Sequence, residues 1–391
     1  MIPAYDAVII GGGPAGATAA TDLARRGHSV LLIDKAGRIK PCGGAVPPRL
    51  IQDFAIPDDL LVAKATSARI ISPANRAVDM PVGDGFVGMV DRGHFDEWLR
   101  NRAALAGALR CEGRYEAIER DAGNKALVRY RDAAGKLCHV EARLVIGADG
   151  ARSAVARAEI PGAGKMHCVF AYHEVIESPG AATGFDGSRC DVIYQGKISP
   201  DFYGWVFPHG EQTSVGVGSA RKGFALRDAV KAIRHNSGLT NAHTVRGEGA
   251  PIPLKPLKKW DNGRDVIVVG DAAGVVAPAS GEGLYYAMSS GRMAAEAGAQ
   301  FLDTGDASAL KLARKHFMKE HRTVFAVLGM MQYFWYSSDK RRERFVSMCD
   351  DPDVQTLTWE AYMNKRLVRT KPMAHVRIFF KDMGHLMGMS K

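Results

Sequence analysis

The stretch that most constrains this chain is Gly11-Gly12-Gly13-Pro14-Ala15-Gly16, a G-x-G-x-x-G pattern close to the N-terminus. Ala7-Val8-Ile9-Ile10 before it is apolar and reads as a buried strand. Ala17 to Arg26 after it is Ala-rich and unbroken, which predicts a helix that Gly27 ends. Val30-Leu31-Leu32-Ile33 makes a second buried strand, and Asp34 closes it roughly 20 residues past the glycines. Each glycine has a physical task. Gly11 permits a tight turn, Gly13 lets a pyrophosphate approach the backbone, and Gly16 lets the helix lie close to the sheet. The helix N-terminus offers free N–H groups and partial positive charge to phosphates. Asp34 can accept hydrogen bonds from ribose hydroxyls and would repel a 2′-phosphate. The glycines alone are a weak signal; two strands, a helix and an acid in register make a dinucleotide-binding unit.

The 391 residues suffice for two domains with a sizeable core. A net charge of +10 favours anionic partners, phosphorylated small molecules or anionic lipid surfaces. The basic residues are scattered and no nucleic-acid motif occurs, so no nucleic acid is expected. No stretch reaches the ~18 apolar residues of a membrane span; the longest candidate, Val324 to Tyr336, is broken by Gln332. The first strand begins about six residues in, which fits no signal peptide. Cys42, Cys111, Cys138, Cys168, Cys190 and Cys349 form no C-x-x-C pair, and the twelve histidines show no ligand spacing. A reduced, cytoplasmic protein without a metal is expected.

Lys40-Pro41-Cys42-Gly43-Gly44-Ala45-Val46-Pro47-Pro48 follows the second strand and reads as a shaped loop at the sheet edge, beside a bound dinucleotide. Thr66 to Met80 reads as strands. Arg92 stands just before a helix that runs to about Ala108, where it could face a phosphate or an adenine, or else be a solvated surface arginine. Leu109 to Ala142 reads as a β-meander with turns at residues 121–124 and 132–135. Arg143-Leu144-Val145-Ile146 is a further apolar strand, ending in Gly147-Ala148-Asp149-Gly150. Cys168 to Gly218 is strand-rich and aromatic, and reads as an inserted second sheet. Asp265-Val266-Ile267-Val268-Val269 is the next buried strand, followed by Gly270-Asp271-Ala272-Ala273-Gly274, then Gly281-Glu282-Gly283 and a helix from Leu284. The last ~100 residues read as a core helix over Ala307 to Tyr336, a basic run over Lys340 to Arg344, and a solvated tail carrying Phe379 and Phe380. Interfacial membrane contact is the alternative for this part.

The three glycine motifs, in this order, resemble the FAD-binding pattern of the para-hydroxybenzoate hydroxylase fold, within the glutathione-reductase-like flavoproteins. The implied fold class is α/β: a glutathione-reductase-like FAD-binding domain interleaved with an antiparallel-sheet substrate domain, plus C-terminal helices. The corresponding boundaries are 1–165 with 250–300 for the FAD-binding domain, 166–249 for the substrate sheet, and 301–391 for the helices. The resemblance implies that FAD is bound by Gly11, Gly13, Ala15, Gly16, Asp34, Cys42, Gly43, Gly44, Arg92, Asp149, Gly150, Asp271, Gly281, Gly283 and Leu284. Asp271 would hold the ribityl chain. The helix from Gly283 and Leu284 would aim its N-terminus at the flavin, whose reduced form carries negative charge near N1.

The chain further resembles the geranylgeranyl reductases of chlorophyll and bacteriochlorophyll synthesis. The resemblance rests on Pro41-Cys42-Gly43-Gly44-Ala45 with Pro47, Ile70 to Asn75 with Val78-Asp79, Tyr203-Gly204-Trp205-Val206-Phe207-Pro208, and Gly270 to Gly274 with Pro278 and Gly281 to Gly283. One departure is Asp34, where the broader fold usually has Glu. The implied activity is saturation of isolated double bonds of a geranylgeranyl chain to phytyl, with hydride from NADPH by way of FAD. The implied partners are geranylgeranyl diphosphate or geranylgeranylated (bacterio)chlorophyll, for a cytoplasmic protein in peripheral contact with the photosynthetic membrane. An unconjugated alkene needs a proton at one carbon and hydride at the other, so the site needs an acid and a dry slot. Cys42 is the candidate catalytic acid, or else a structural thiol. Tyr203 and Trp205 are the candidate substrate-binding wall, or else plain core of the second sheet. Two other readings share this fold: an oxygen-using flavin monooxygenase or halogenase, and a prenyl-binding escort protein without flavin.

Overall fold

Strand β1 (Ala4–Ile10), helix α1 (Pro14–Arg25) and strand β2 (Val30–Asp34) build the expected βαβ start. The helix begins at Pro14 rather than Ala17, because proline's fixed φ and missing N–H suit a first helical position. The computed structural model describes residues 2–35, 40–180 and 184–365; Phe379 and Phe380 lie outside the described residues. Next come β3 (Ala45–Val46), α2 (Pro48–Phe54), β4 (Leu61–Ala65), β5 (Ser67–Ile71), β6 (Ala77–Pro81), β7 (Val87–Val90) and α3 (Arg92–Leu105). The meander is β8 (Leu109–Arg120), β9 (Ala126–Asp132) and β10 (Leu137–Gly147), followed by α4 (Ala154–Glu159). The middle of the chain gives β11 (Cys168–Glu177), β12 (Arg189–Ile193), β13 (Gly204–His209), β14 (Gln212–Ser219), α5 (Leu226–Asn236) and β15 (Thr244–Pro253). The rest is β16 (Val266–Val268), α6 (Leu284–Thr304), α7 (Lys311–Trp335), α8 (Asp339–Met348) and α9 (Pro352–Met363).

In the first sheet β1 lies between β2 and β10, with β8 outside β2 and β16 outside β10, all parallel. Strand β9 joins β8 to β10 by antiparallel pairing. Ile9, Leu32, Ile146 and Ile267 at its centre are buried, as apolar parallel strands with both faces covered require. Helix α6 lies against α1 and the sheet because it carries glycine at the contacts. A Cβ on Gly291 would run into the Ala15 carbonyl, and one on Gly298 would stand 2.6 Å from Leu144.

The second sheet has the order β15-β11-β14-β13-β12-β5-β6. Residues 67–81 and β15 up to Pro253 belong to it, so it draws chain from outside 166–249. Alternation along β13 splits its side chains between two faces. Val206 faces the layer that includes α5, together with Val230 and Ile233. Tyr203 and Trp205 face the opposite way, toward Trp335, Tyr336 and Val346 of the C-terminal helices.

The basic run does not lead into a solvated tail among the described residues. It lies in α8, where buried Arg342 donates to the carbonyls of Ser199, Pro200 and Tyr336. Helices α7 and α8 are thereby fastened to the loop between β12 and β13.

Candidate active site

Two cavities reach the first turn of α6, one at Ala287 and the other at Leu284. The first, about 390 Å³, is lined by all three glycine motifs, with Gly11, Gly13, Ala15, Asp34, Asp149, Gly150 and Asp271 among its walls. Gly11 has φ +102°, and a Cβ on Gly16 would run into the Gly11 carbonyl oxygen. A Cβ on Gly13 would meet nothing within 4 Å, so the space beside that backbone is open. No side chain caps the first turn of α1 at Gly13. Its free N–H groups are left for an anion.

Several expected contacts have partners within the protein. Asp34 Oδ2 accepts from Arg100 Nη1 at 3.1 Å, and the same nitrogen reaches the Gly12 carbonyl. Asp271 Oδ2 is 2.6 Å from Lys40 Nζ. Asp149 turns its carboxylate to the start of α4, accepting from Ser153 Oγ at 2.5 Å and Ala154 N at 2.6 Å. Burial raises the Asp149 pKa above the usual carboxylate range. Its carboxylate therefore fixes the Gly147–Gly150 turn from behind.

Arg92 is a correction to the expected placement. It is the first residue of α3 itself, is only 5% exposed, and makes a bidentate pair with Asp96 at 2.8 and 2.7 Å. Burial opposes its charge, but Asp96 and then Cys42 outweigh that and hold the guanidinium protonated. It is no solvated surface arginine; it lines the first cavity from inside the fold.

The second cavity, about 250 Å³, is chiefly apolar. Tyr203, just before β13, and Trp205 and Phe207 on it form one wall, and Trp359 and Tyr362 on α9 form another. Cys42, Gly43, Gly44, Gly281, Gly283 and Leu284, all expected to meet the cofactor, line this chamber. The Tyr203 hydroxyl donates to the Ser280 carbonyl at 2.5 Å, and Trp205 Nε1 donates to Ser214 Oγ at 3.1 Å. Both rings thus present carbon to the cavity while their polar atoms are satisfied. A small cavity of about 30 Å³ shares Lys40 and Arg92 with the first and Cys42 with the second.

Glu282, within the Gly281–Gly283 motif, accepts from the Tyr285 amide and pairs with Lys365 Nζ at 2.7 Å, both side chains buried. Lys365 follows α9, so this pair ties α9 to the start of α6. Sequence reasoning missed Arg100, Lys40, Trp359, Tyr362 and Lys365. Arg100 and Lys40 look like ordinary surface cations, Trp359 and Tyr362 come from a helix without a motif, and Lys365 follows that helix. The signal that could have found Arg100 is its place two turns into the helix that starts at Arg92.

These residues fit FAD: open backbone at Gly13, an uncapped helix N-terminus, and carboxylates at Asp34 and Asp271 on one cavity. Residues 5–180 match the pyridine nucleotide-disulphide oxidoreductase family. The chain is 58% identical to the geranylgeranyl diphosphate reductase of Rhodobacter capsulatus, over 98% of both chains. The chain belongs to the geranylgeranyl reductase family. It is also 35% identical to the chloroplastic geranylgeranyl diphosphate reductase of Oryza sativa, over 97% of this chain and 85% of the plant protein. The crystal structure of a geranylgeranyl bacteriochlorophyll reductase-like protein from Thermoplasma acidophilum superposes with a TM-score of 0.82. It covers 96% of this chain and 100% of that one at 22% identity, and shows the shared fold. As a member of this family the chain is a flavin-dependent oxidoreductase. No helix among the described residues is long and apolar enough to cross a membrane.

Proposed function

We propose that the protein saturates isolated double bonds of a geranylgeranyl chain, carried as the diphosphate or as the ester of a (bacterio)chlorophyll. One observation carries this reading: Cys42, Gly43 and Gly281 to Leu284 line an apolar chamber, and a small cavity lined by Lys40, Cys42 and Arg92 stands between it and the dinucleotide cavity. Gly11 to Gly16, Asp34, Asp271 and Lys40 would hold FAD. Bound FAD, reduced by NADPH, supplies the hydride. Every other requirement falls on the chain. The aromatic wall of Tyr203, Trp205 and Phe207 excludes water and favours positive charge developing on the alkene carbon. Cys42 Sγ, at the edge of the chamber, gives the proton to the less substituted carbon. Arg92, buried beside Cys42, stabilises the thiolate that remains.

Contact with the photosynthetic membrane is peripheral in this reading. Met330 and Tyr333 on α7 are 64% and 84% exposed, and Arg341 lies over the neighbouring Phe334 ring. Apolar tips flanked by cations suit an anionic lipid surface.

The test is product analysis. Reduced holoenzyme is incubated without oxygen with geranylgeranyl diphosphate and, separately, with the geranylgeranylated pigment. Mass gains of two hydrogens per bond are expected. An enzyme that changes its substrate only after oxygen is admitted would be a monooxygenase or halogenase, and a chain that never takes up flavin would be an escort protein.

A further inference from the structure

The apolar chamber has a floor, and the registers of the second sheet give its length. Val192 on β12 stands opposite Trp205 on β13 and beside Ile70 on β5. Two residues away on the same face, Cys190 stands beside Ala68, and Ala68 opposite Met80 on β6. All six side chains line the chamber. The cofactor loops lie at the β13 end. A Cβ on Gly43 would stand 3.2 Å from the Phe207 ring, and one on Gly281 3.5 Å from the Tyr203 hydroxyl. Strand β6 is the outer edge of the sheet. Three strand spacings, about 14 Å, separate β13 from β6. Helix α9 roofs this floor from end to end. Gln355 Nε2, in its first turn, lies 3.4 Å from the Asp79 carbonyl on β6, and Lys365, just past its end, pairs with Glu282. Between them Thr358, Trp359 and Tyr362 line the chamber.

Among the described residues, Glu282 is the one charged side chain on the chamber, and it stands at the cofactor end. The outer end is built from Ala68, Met80, Val87 and Cys190, all buried. An end without charge takes a hydrocarbon terminus and leaves a polar head group on the cofactor side. An extended isoprene unit advances a chain by four bonds of about 1.5 Å, roughly 5 Å in all. The floor therefore takes about three units, and a geranylgeranyl chain has four. We propose that this floor is a ruler. The chain lies with its hydrocarbon terminus toward β6, and the depth down to Met80 decides how far from that terminus a double bond can be brought to the cofactor loops. The proposal rests on the reading of the chamber as the seat of the prenyl chain. The three bonds counted from the terminus reach the loops, and the bond beside the head group does not. Ala68 keeps the way open, because its methyl group is the smallest side chain of the floor and the terminus passes over it to reach Met80.

The test reads which bonds are saturated. Holoenzyme and NADPH are incubated without oxygen with geranylgeranyl diphosphate and, separately, with the geranylgeranylated pigment. The positions of added hydrogen are mapped over time by fragmentation mass spectrometry of the faster substrate's products. For the wild type we expect saturation of the three bonds farthest from the head group, with the fourth spared. Ala68→Leu narrows the path to the outer end. Its terminal bond is expected to be saturated at the wild-type rate. The third bond from the terminus slows by about 100-fold, because the unit that has to lie past residue 68 loses its burial. Met80→Ala deepens the outer end, and saturation of the bond beside the head group appears. Flavin content and NADPH-driven flavin reduction remain those of the wild type in both variants. All bonds slowed alike in Ala68→Leu would make Ala68 merely structural and overturn the ruler. Products of the wild-type pattern from both variants would overturn it too, as would a wild type that saturates all four bonds. If Ala68→Leu does not retain flavin, Met80→Ala decides alone. A wild type that saturates no bond of either substrate would sink the prenyl-saturating reading itself; a wild type that saturates them with both variants unchanged sinks the ruler alone.

Discussion

Lys40 Nζ lies 2.6 Å from Asp271 Oδ2 and joins two loops 231 residues apart in the chain. The lysine comes from the segment after the second strand, and the aspartate from the turn that follows the last parallel strand. Both line the dinucleotide cavity. The pair holds a buried carboxylate at the place where a sugar-like chain needs an acceptor.

Replacing Asp271 therefore weakens cofactor retention. Asp271→Ala is expected to lose flavin on gel filtration, with Asp271→Asn intermediate, because an amide still offers one acceptor but leaves Lys40 without its counter-charge. The measurement is visible flavin absorbance relative to protein. An unchanged ratio would remove Asp271 from the ribityl-binding role.

Cys42→Ser separates cofactor binding from proton delivery. A hydroxyl fills the space of the thiol but is a far weaker acid. Flavin stays bound and NADPH still reduces it, while oxidation of the reduced enzyme by the prenyl substrate slows by about 100-fold. Stopped-flow traces of the two half-reactions report the difference.

The Glu282–Lys365 pair is buried on both sides, with Lys365 Nζ set over the rings of Tyr362, Tyr286 and Tyr285. Removing one partner strands the other charge. Lys365→Met is expected to destabilise the protein by about 3–5 kcal/mol in urea unfolding. The double change Glu282→Gln with Lys365→Met removes both charges and recovers most of that loss.

Acid stability depends on His321. Burial, reinforced by nearby Lys365, pushes its imidazole down to about 4. A histidine in the unfolded chain titrates near 6.5, so below that pH the unfolded state binds a proton that the folded state refuses. Stability is full above about 6.5 and falls as pH drops toward about 4, by roughly 3 kcal/mol in total. Unfolding midpoints at about pH 7 and pH 4.5 should diverge in the wild type and converge in His321→Phe.

The glycine unit was legible because its constraints are local. Gly11, Gly13 and Gly16 each answer to backbone geometry within one turn, and the flanking strands carry their burial in their composition. The apolar chamber was legible only in part. Tyr203 and Trp205 stood out as aromatics on a strand, but Trp359 and Tyr362 reach the same cavity from a helix with no motif. Arg92 was placed one residue outside its helix, and its spacing alone left open whether it faces a cofactor or solvent. A bidentate partner four residues on, Asp96, is what lets it be buried. Gly216 carried no signal: a Cβ there would run into the Trp205 indole and His173, on neighbouring strands that only the fold brings beside it.

Helix α9 supplies Thr358, Trp359 and Tyr362 to the chamber, whereas the residues lining the dinucleotide cavity are all in place by Ala287. During synthesis the nucleotide-holding half is thus written before the enclosure for the hydrocarbon exists. A yellow preparation certifies that the early half has assembled, and says nothing about whether the last wall has arrived.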